Sequence, residues 1–208
     1  MTHPEINKIG RYNLPDAATA DIWLLPVVTI LAPGPNGRAF WDKSIGCIIT
    51  VNGAVEIPIA KDIWIVADGN AIQCPWFKYG CENFDGFRVW SEAVHVRCEE
   101  KGDYTFWMYP NHPDQVEDFW QLPFVPDPDF FRPTETVTGI AIDFAVRHGA
   151  TEINLIGVDC AGGYFYDAPG ESTALLNPVA FAKLTEEIKY FQGQGIKIRS
   201  LSETHLTI

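Results

Sequence analysis

Five short segments carry the residue types that hold small polar ligands: Pro33-Gly34-Pro35-Asn36-Gly37, Asn52-Gly53, Asp68-Gly69-Asn70, Thr136-Val137-Thr138-Gly139 and Asp159-Cys160-Ala161-Gly162-Gly163. Small residues let a ligand approach the backbone, whose N–H groups bind phosphate without net positive charge. Asn and Asp side chains read base and ribose edges. Thr136 to Gly139 opens a helical pattern, where free amides and the helix dipole favour an anion and the Thr138 hydroxyl adds a donor. Each segment alone is equally an ordinary turn or cap; their number points to a site. The Pro-Gly-Pro segment lacks both the three-glycine dinucleotide spacing and the Gly-Lys-Ser/Thr ending of a P-loop.

Other reactive groups are scattered. Cys74, Cys81, His95 and Cys98 have a spacing unlike that of common zinc knuckles, so no metal site is expected. Cys47 and Cys160 flank apolar runs and read as small core residues. The aromatic run Tyr104, Phe106, Trp107, Tyr109, Phe119 and Trp120 is able to stack a base, to form a satellite core or to pair with a second copy in a homo-oligomer.

The elements that must position these segments follow from patterning. Leu24–Leu31, Ile45–Val51, Asp62–Ala67 and Glu152–Val158 are short apolar, β-branched runs, the signature of parallel strands covered on both faces. Ile196–Leu201 reads as a last strand. Val137, Ile140, Ala141, Phe144 and Ala145 form one helical stripe, capped by Thr134 or Thr136 and stopped at Gly149. Pro178 opens a second long helix with Val179, Ala182, Leu184, Ile188 and Phe191 toward its apolar side. Strands separated by helices of this length imply right-handed crossovers. The expected fold is α/β: one domain over residues 1–208, a Rossmann-like parallel sheet with helices on both faces. Residues 74–131, rich in Pro, acids and aromatics, are expected as an irregular insertion or lid. Ligands of such sheets bind beyond the carboxyl ends of the strands, where four of the five segments fall. The fifth, Thr136–Gly139, starts a helix.

The chain has 208 residues, 47% of them hydrophobic, and a net charge of −12. One domain is expected at this length. The charge repels phosphate backbones and anionic lipid, so nucleic acid and membrane insertion are not expected. Met1 to Asp16 is polar and carries no secretory pattern, and five cysteines are an odd count, so a cytoplasmic location with reduced thiols is expected.

The order of these motifs resembles the family 42 sialyltransferases and the related domain family of archaeal hydroxymethylpterin diphosphokinases with many phage-encoded homologues. The likeness runs over roughly residues 27–72 and 134–202, and Thr136 to Asp167 is its closest part. The sialyltransferase likeness implies a glycosyltransferase-like enzyme using a CMP-linked donor sugar, with no tightly bound cofactor. It implies Gly34, Pro35 and Asn36 under the phosphate or ribose, with Asn52, Asp68 and Asn70 lining the cytidine and sugar side. Thr138 and Gly139 would meet donor oxygens, Gly157, Val158 and Asp159 the nucleoside, and Tyr164 the leaving phosphate. The family's general-base histidine falls in a stretch that here, Ala168 to Phe181, has none; His112 or Asp167 would take that role. The diphosphokinase likeness implies ATP, with Mg²⁺ held by Asp68 and Asp159. A silent nucleotide-binding module is the third expectation.

Overall fold

The computed structural model describes residues 26–106, 126, 136–159, 164 and 178–208. Among them seven strands build one sheet: β1 (Val27–Leu31), β2 (Cys47–Val51), β3 (Ile63–Val66), β4 (Phe87–Ser91), β5 (Tyr104–Phe106), β6 (Glu152–Ile156) and β7 (Lys197–Ser200). Their order is β5-β4-β3-β2-β1-β6-β7, and every neighbouring pair is parallel. The chain steps outward from β1 to β5, then returns to the other side of β1 for β6 and β7. The order therefore reverses between β1 and β6, and all carboxyl ends share one rim.

Alternation along the strands decides which layer each side chain joins. Val28, Ile30, Ile49, Ile63, Ile65 and Leu155 face helices α3 (Val137–Arg147) and α4 (Pro178–Gly193), forming the main core with Phe144, Leu184 and Ile188. The opposite face is covered by helix α1 (Pro75–Asn83), the short α2 (Glu92–His95) and three 3₁₀ segments, Pro35–Lys43, Asn52–Glu56 and Gly69–Gln73. There Trp64, Phe77 and Trp90 pack together, with Trp64 edge-on to Trp90 at a centroid distance of 5.7 Å. Burying each such ring removes enough apolar surface to contribute about 1.5–3 kcal/mol. No helix among the described residues is long and apolar enough to cross a membrane.

Two expectations differ from what is found. Residues 75–106 are regular: β4 and β5 extend the sheet, and α1 and α2 cover it. β4 stops at Ser91, whose hydroxyl accepts the Val94 amide and starts α2. Most of 107–131 lies outside the described residues, and the lid expectation lies there with it.

The buried stripe of α4 is Ala180, Leu184, Glu187, Ile188 and Phe191, whereas Val179 is 51% exposed. Glu187, 1% exposed, lies on the buried side, so the buried face is rotated from the expected one. Asp143 is 3% exposed and held by two hydrogen bonds from Arg147, 2.8 and 2.7 Å.

Candidate functional site

The two loops at the reversal point are clasped together. Ala32 N–H donates to the Ile156 carbonyl (2.8 Å) and Gly34 N–H to the Gly157 carbonyl (2.9 Å), extending the β1–β6 ladder past both strands. Asn36 N–H then donates to Asp159 Oδ2 at 2.7 Å. A Cβ on Gly34 would lie 2.3 Å from the Gly157 oxygen and 2.5 Å from Asp159 Cγ. Gly157 has φ +73°, and a Cβ there would lie 2.3 Å from the Ala32 oxygen. These glycines serve the close approach of two backbones. Pro35 and Asn36 stand outward on the surface.

The clasp buries Asp159 to 3% exposure. Its Oδ1 is buried with no hydrogen-bond partner among the described residues. Burial raises its carboxyl above the usual 3.8, and Glu203 adds to the rise; the Asn36 amide and His205 oppose it. An ionisable group left in such a place carries an unmet demand for a donor.

Asn52 ends β2 in a left-handed conformation, φ +48°, which Asn adopts more readily than other residues with a Cβ. Its carbonyl accepts the Trp64 indole N–H at 3.0 Å, which holds the turn. Its side-chain Oδ1 is buried without a partner among the described residues. Backbone strain together with an orphan polar atom is characteristic of ligand sites.

The remaining sequence candidates fall out as follows. Asp68 is exposed; its Oδ1 accepts the Asn70 amide at 2.8 Å, while Asn70 Oδ1 accepts from Arg97 at 3.1 Å. Thr138 and Gly139 lie buried in the first turn of α3, and the Gly139 amide donates to the Thr136 hydroxyl at 3.0 Å. Val158 is in the main core. Tyr164 is half-buried. His112 and Asp167 lie outside the described residues, as does Cys160.

One correction concerns the amides. The sequence offered an amide-lined cradle for an anion, but the N–H groups of Gly34, Asn36, Asn70 and Gly139 all donate within the protein. What the rim leaves open at Asp159 and Asn52 are acceptor oxygens. Such a surface takes the hydroxyls of a ribose or hexose, or an exocyclic amine.

The sequence reading also passed over the C-terminal segment. Ser202 Oγ accepts the Gly157 amide (2.9 Å), Thr204 Oγ1 donates to the Val158 carbonyl, and His205 N–H donates to the Asp159 carbonyl at 3.0 Å. A polar run directly after a last parallel strand must leave at the ligand edge, which was the available signal.

No group of three or more metal-ligating side chains occurs among the described residues. His95 Nδ1 is 2.9 Å from the Thr105 hydroxyl. Burial pushes the Cys47 and Cys81 thiols up to about 12, the direction that disfavours the thiolate. Asp68 and Asp159 follow strands three intervals apart in the sheet, roughly 14 Å. They do not converge on one ion.

No family model matches the chain, and no curated protein matches it. Solved structures do. The sialyltransferase CST-II in complex with trisaccharide acceptor and CMP is similar with a TM-score of 0.50 and 14% identity, covering 85% of this chain and 81% of that one. CstII from Campylobacter jejuni with the substrate analogue CMP-3FNeuAc gives 0.46 at 14% identity over 85% and 81%. The same enzyme with cytidine-5'-monophosphate gives 0.47 at 12% over 85% and 80%. At these identities the shared property is the α/β Rossmann-like fold.

Proposed function

We propose that the chain is a nucleotide-sugar-dependent transferase of the glycosyltransferase kind, with a CMP-linked donor seated on the rim at the β1–β6 reversal. The observation that carries this reading is the pair of buried acceptor oxygens without partners, Asp159 Oδ1 and Asn52 Oδ1, at the ends of β6 and β2. Those strands lie two intervals apart, roughly 10 Å, so that a single extended ligand with donors at both ends spans them. A nucleoside meets the requirement at Asp159 through its ribose hydroxyls, and a sugar meets it at Asn52. The fold shared with a CMP-bound sialyltransferase supports the choice of nucleotide.

In this reading Gly34, Pro35 and Asn36 form the wall beside the ribose, Gly157 and Val158 hold Asp159 in place, and Thr138 and Gly139 close the far side from the start of α3. Tyr164 is the proton-transfer or phosphate-facing hydroxyl, and Asp167 or His112 assists the acceptor. Asp68 and Asn70 flank the sugar.

Thermal denaturation with CMP, cytidine, UMP and ATP plus Mg²⁺ tests the assignment. CMP at a hundred times its dissociation constant should stabilise the protein by about 2.7 kcal/mol without metal. Asn52→Ala should abolish that shift. No shift with any nucleotide overturns the proposal, and a shift confined to ATP plus Mg²⁺ replaces it with the diphosphokinase reading. Binding without sugar transfer or donor hydrolysis would mark a sensing module.

A further inference from the structure

The C-terminal segment supplies what the rim lacks. Three hydrogen bonds fix Ser202, Thr204 and His205 along Gly157, Val158 and Asp159. Leu206 anchors the far end, 8% exposed in the main core, with its amide on Thr204 Oγ1 at 3.2 Å. His205 therefore projects from a backbone held at both ends, and it is exposed beside the Asp159 loop.

Charge makes this position consequential. Asp159 and Glu203 put two carboxyls at the reversal point. The amides of Gly34 and Asn36 are occupied. A phosphate brought there meets repulsion unless a cation stands beside it. Arg97 is held by Asn70 at the ends of β3 and β4, and Lys43 lies over the Phe40 ring. Among the described residues, His205 is the basic side chain whose own backbone amide bonds the Asp159 carbonyl, at 3.0 Å, and its field reaches the Asp159 carboxyl. His95 and His148 hydrogen-bond elsewhere, to Thr105 and to the Phe144 carbonyl.

We propose that His205 is the anion-facing residue of the ligand site: it binds the phosphate of a nucleotide whose hydroxyls meet Asp159. This rests on the nucleotide reading above for the identity of the ligand, but the anion contact is tested separately.

Arg38, exposed in the Pro35–Lys43 segment two residues past Asn36, is the competing cation. Titration calorimetry of wild type, His205→Gln, His205→Lys and Arg38→Gln with CMP, cytidine and pyrophosphate decides it. His205→Gln keeps the backbone amide bond to Asp159, so folding is retained. It should weaken CMP about tenfold, the effect of one charge-assisted contact, and leave cytidine unchanged. His205→Lys should keep CMP within about threefold of wild type, a rescue that a purely structural role for the imidazole would not give. Equal loss of CMP and cytidine, unchanged CMP affinity in His205→Gln, or a loss produced by Arg38→Gln instead would each overturn the assignment. Should wild type bind neither CMP nor cytidine, the nucleotide reading falls; pyrophosphate binding that His205→Gln removes would still uphold the anion contact, and its absence would end that too.

Discussion

Asp159 illustrates how a residue useful to a ligand is a burden to the empty fold. It is almost fully buried, one oxygen bonded to the Asn36 amide and the other to nothing. Its folded pKa lies above the unfolded 3.8, chiefly because burial disfavours the charge. Between those two values the native state holds a proton that the unfolded chain has released. Stability therefore falls as pH rises through the folded pKa, and the loss persists to neutral pH. Asp159→Asn should remove that fall: urea midpoints of the variant and wild type should converge near pH 4 and diverge in the variant's favour by pH 7. The same variant should lose nucleotide binding. Parallel pH profiles would show that the carboxyl is not strained. Asn52 is the second such residue, with a left-handed backbone and an orphan oxygen of its own.

At the scale of elements, helix α3 links the core to the rim. Its buried face, Ile140, Ala141, Phe144 and Ala145, lies on the sheet, and its first turn is closed by the Thr136 hydroxyl on the Gly139 amide. Its other end stops at Gly149, φ +96°, with His148 Nδ1 on the Phe144 carbonyl. Thr136→Ala should cost about 1 kcal/mol, a loss of about 2–4 °C in melting temperature for a chain of this size. Thr136→Ser should restore it. An unchanged melting temperature in Thr136→Ala would show that solvent replaces the cap.

The stripe of α3 and the runs of β1, β2, β3 and β6 were legible because their patterns are local: a helix face repeats every three to four residues, and a doubly covered strand is apolar throughout. β5 was not, since Tyr104–Phe106 is three residues long and its place depends on pairing with β4. The face of α4 was not legible either, since a carboxylate in a helical pattern suggests solvent whereas Glu187 is 1% exposed.

For the whole molecule, the sheet order is what turns separate turns into a site. Asn36 and Asp159, 123 residues apart, are bonded only because β6 returns beside β1. The last seven residues belong to this arrangement. Deleting Ser202–Ile208 removes the buried Leu206 and three hydrogen bonds at the reversal point. A loss of about 3 kcal/mol is expected, which lowers the melting temperature by about 6–12 °C. A truncated chain melting with wild type would show the tail to be dispensable to the fold.

By itself the amino-acid order determined a parallel α/β sheet, its four central strands, the stripe of α3 and the rim on which polar turns would gather. Those follow from periodicity, propensity and the handedness of crossovers, all readable from neighbours along the chain. Tertiary structure decided which hydrogen-bonding groups on that rim are already taken. It turned the expected amides inward, left two acceptor oxygens open and brought His205 to Asp159. That outcome depends on contacts between segments distant in the chain, where a glycine's missing side chain or a strand's position in the sheet sets which atoms can meet.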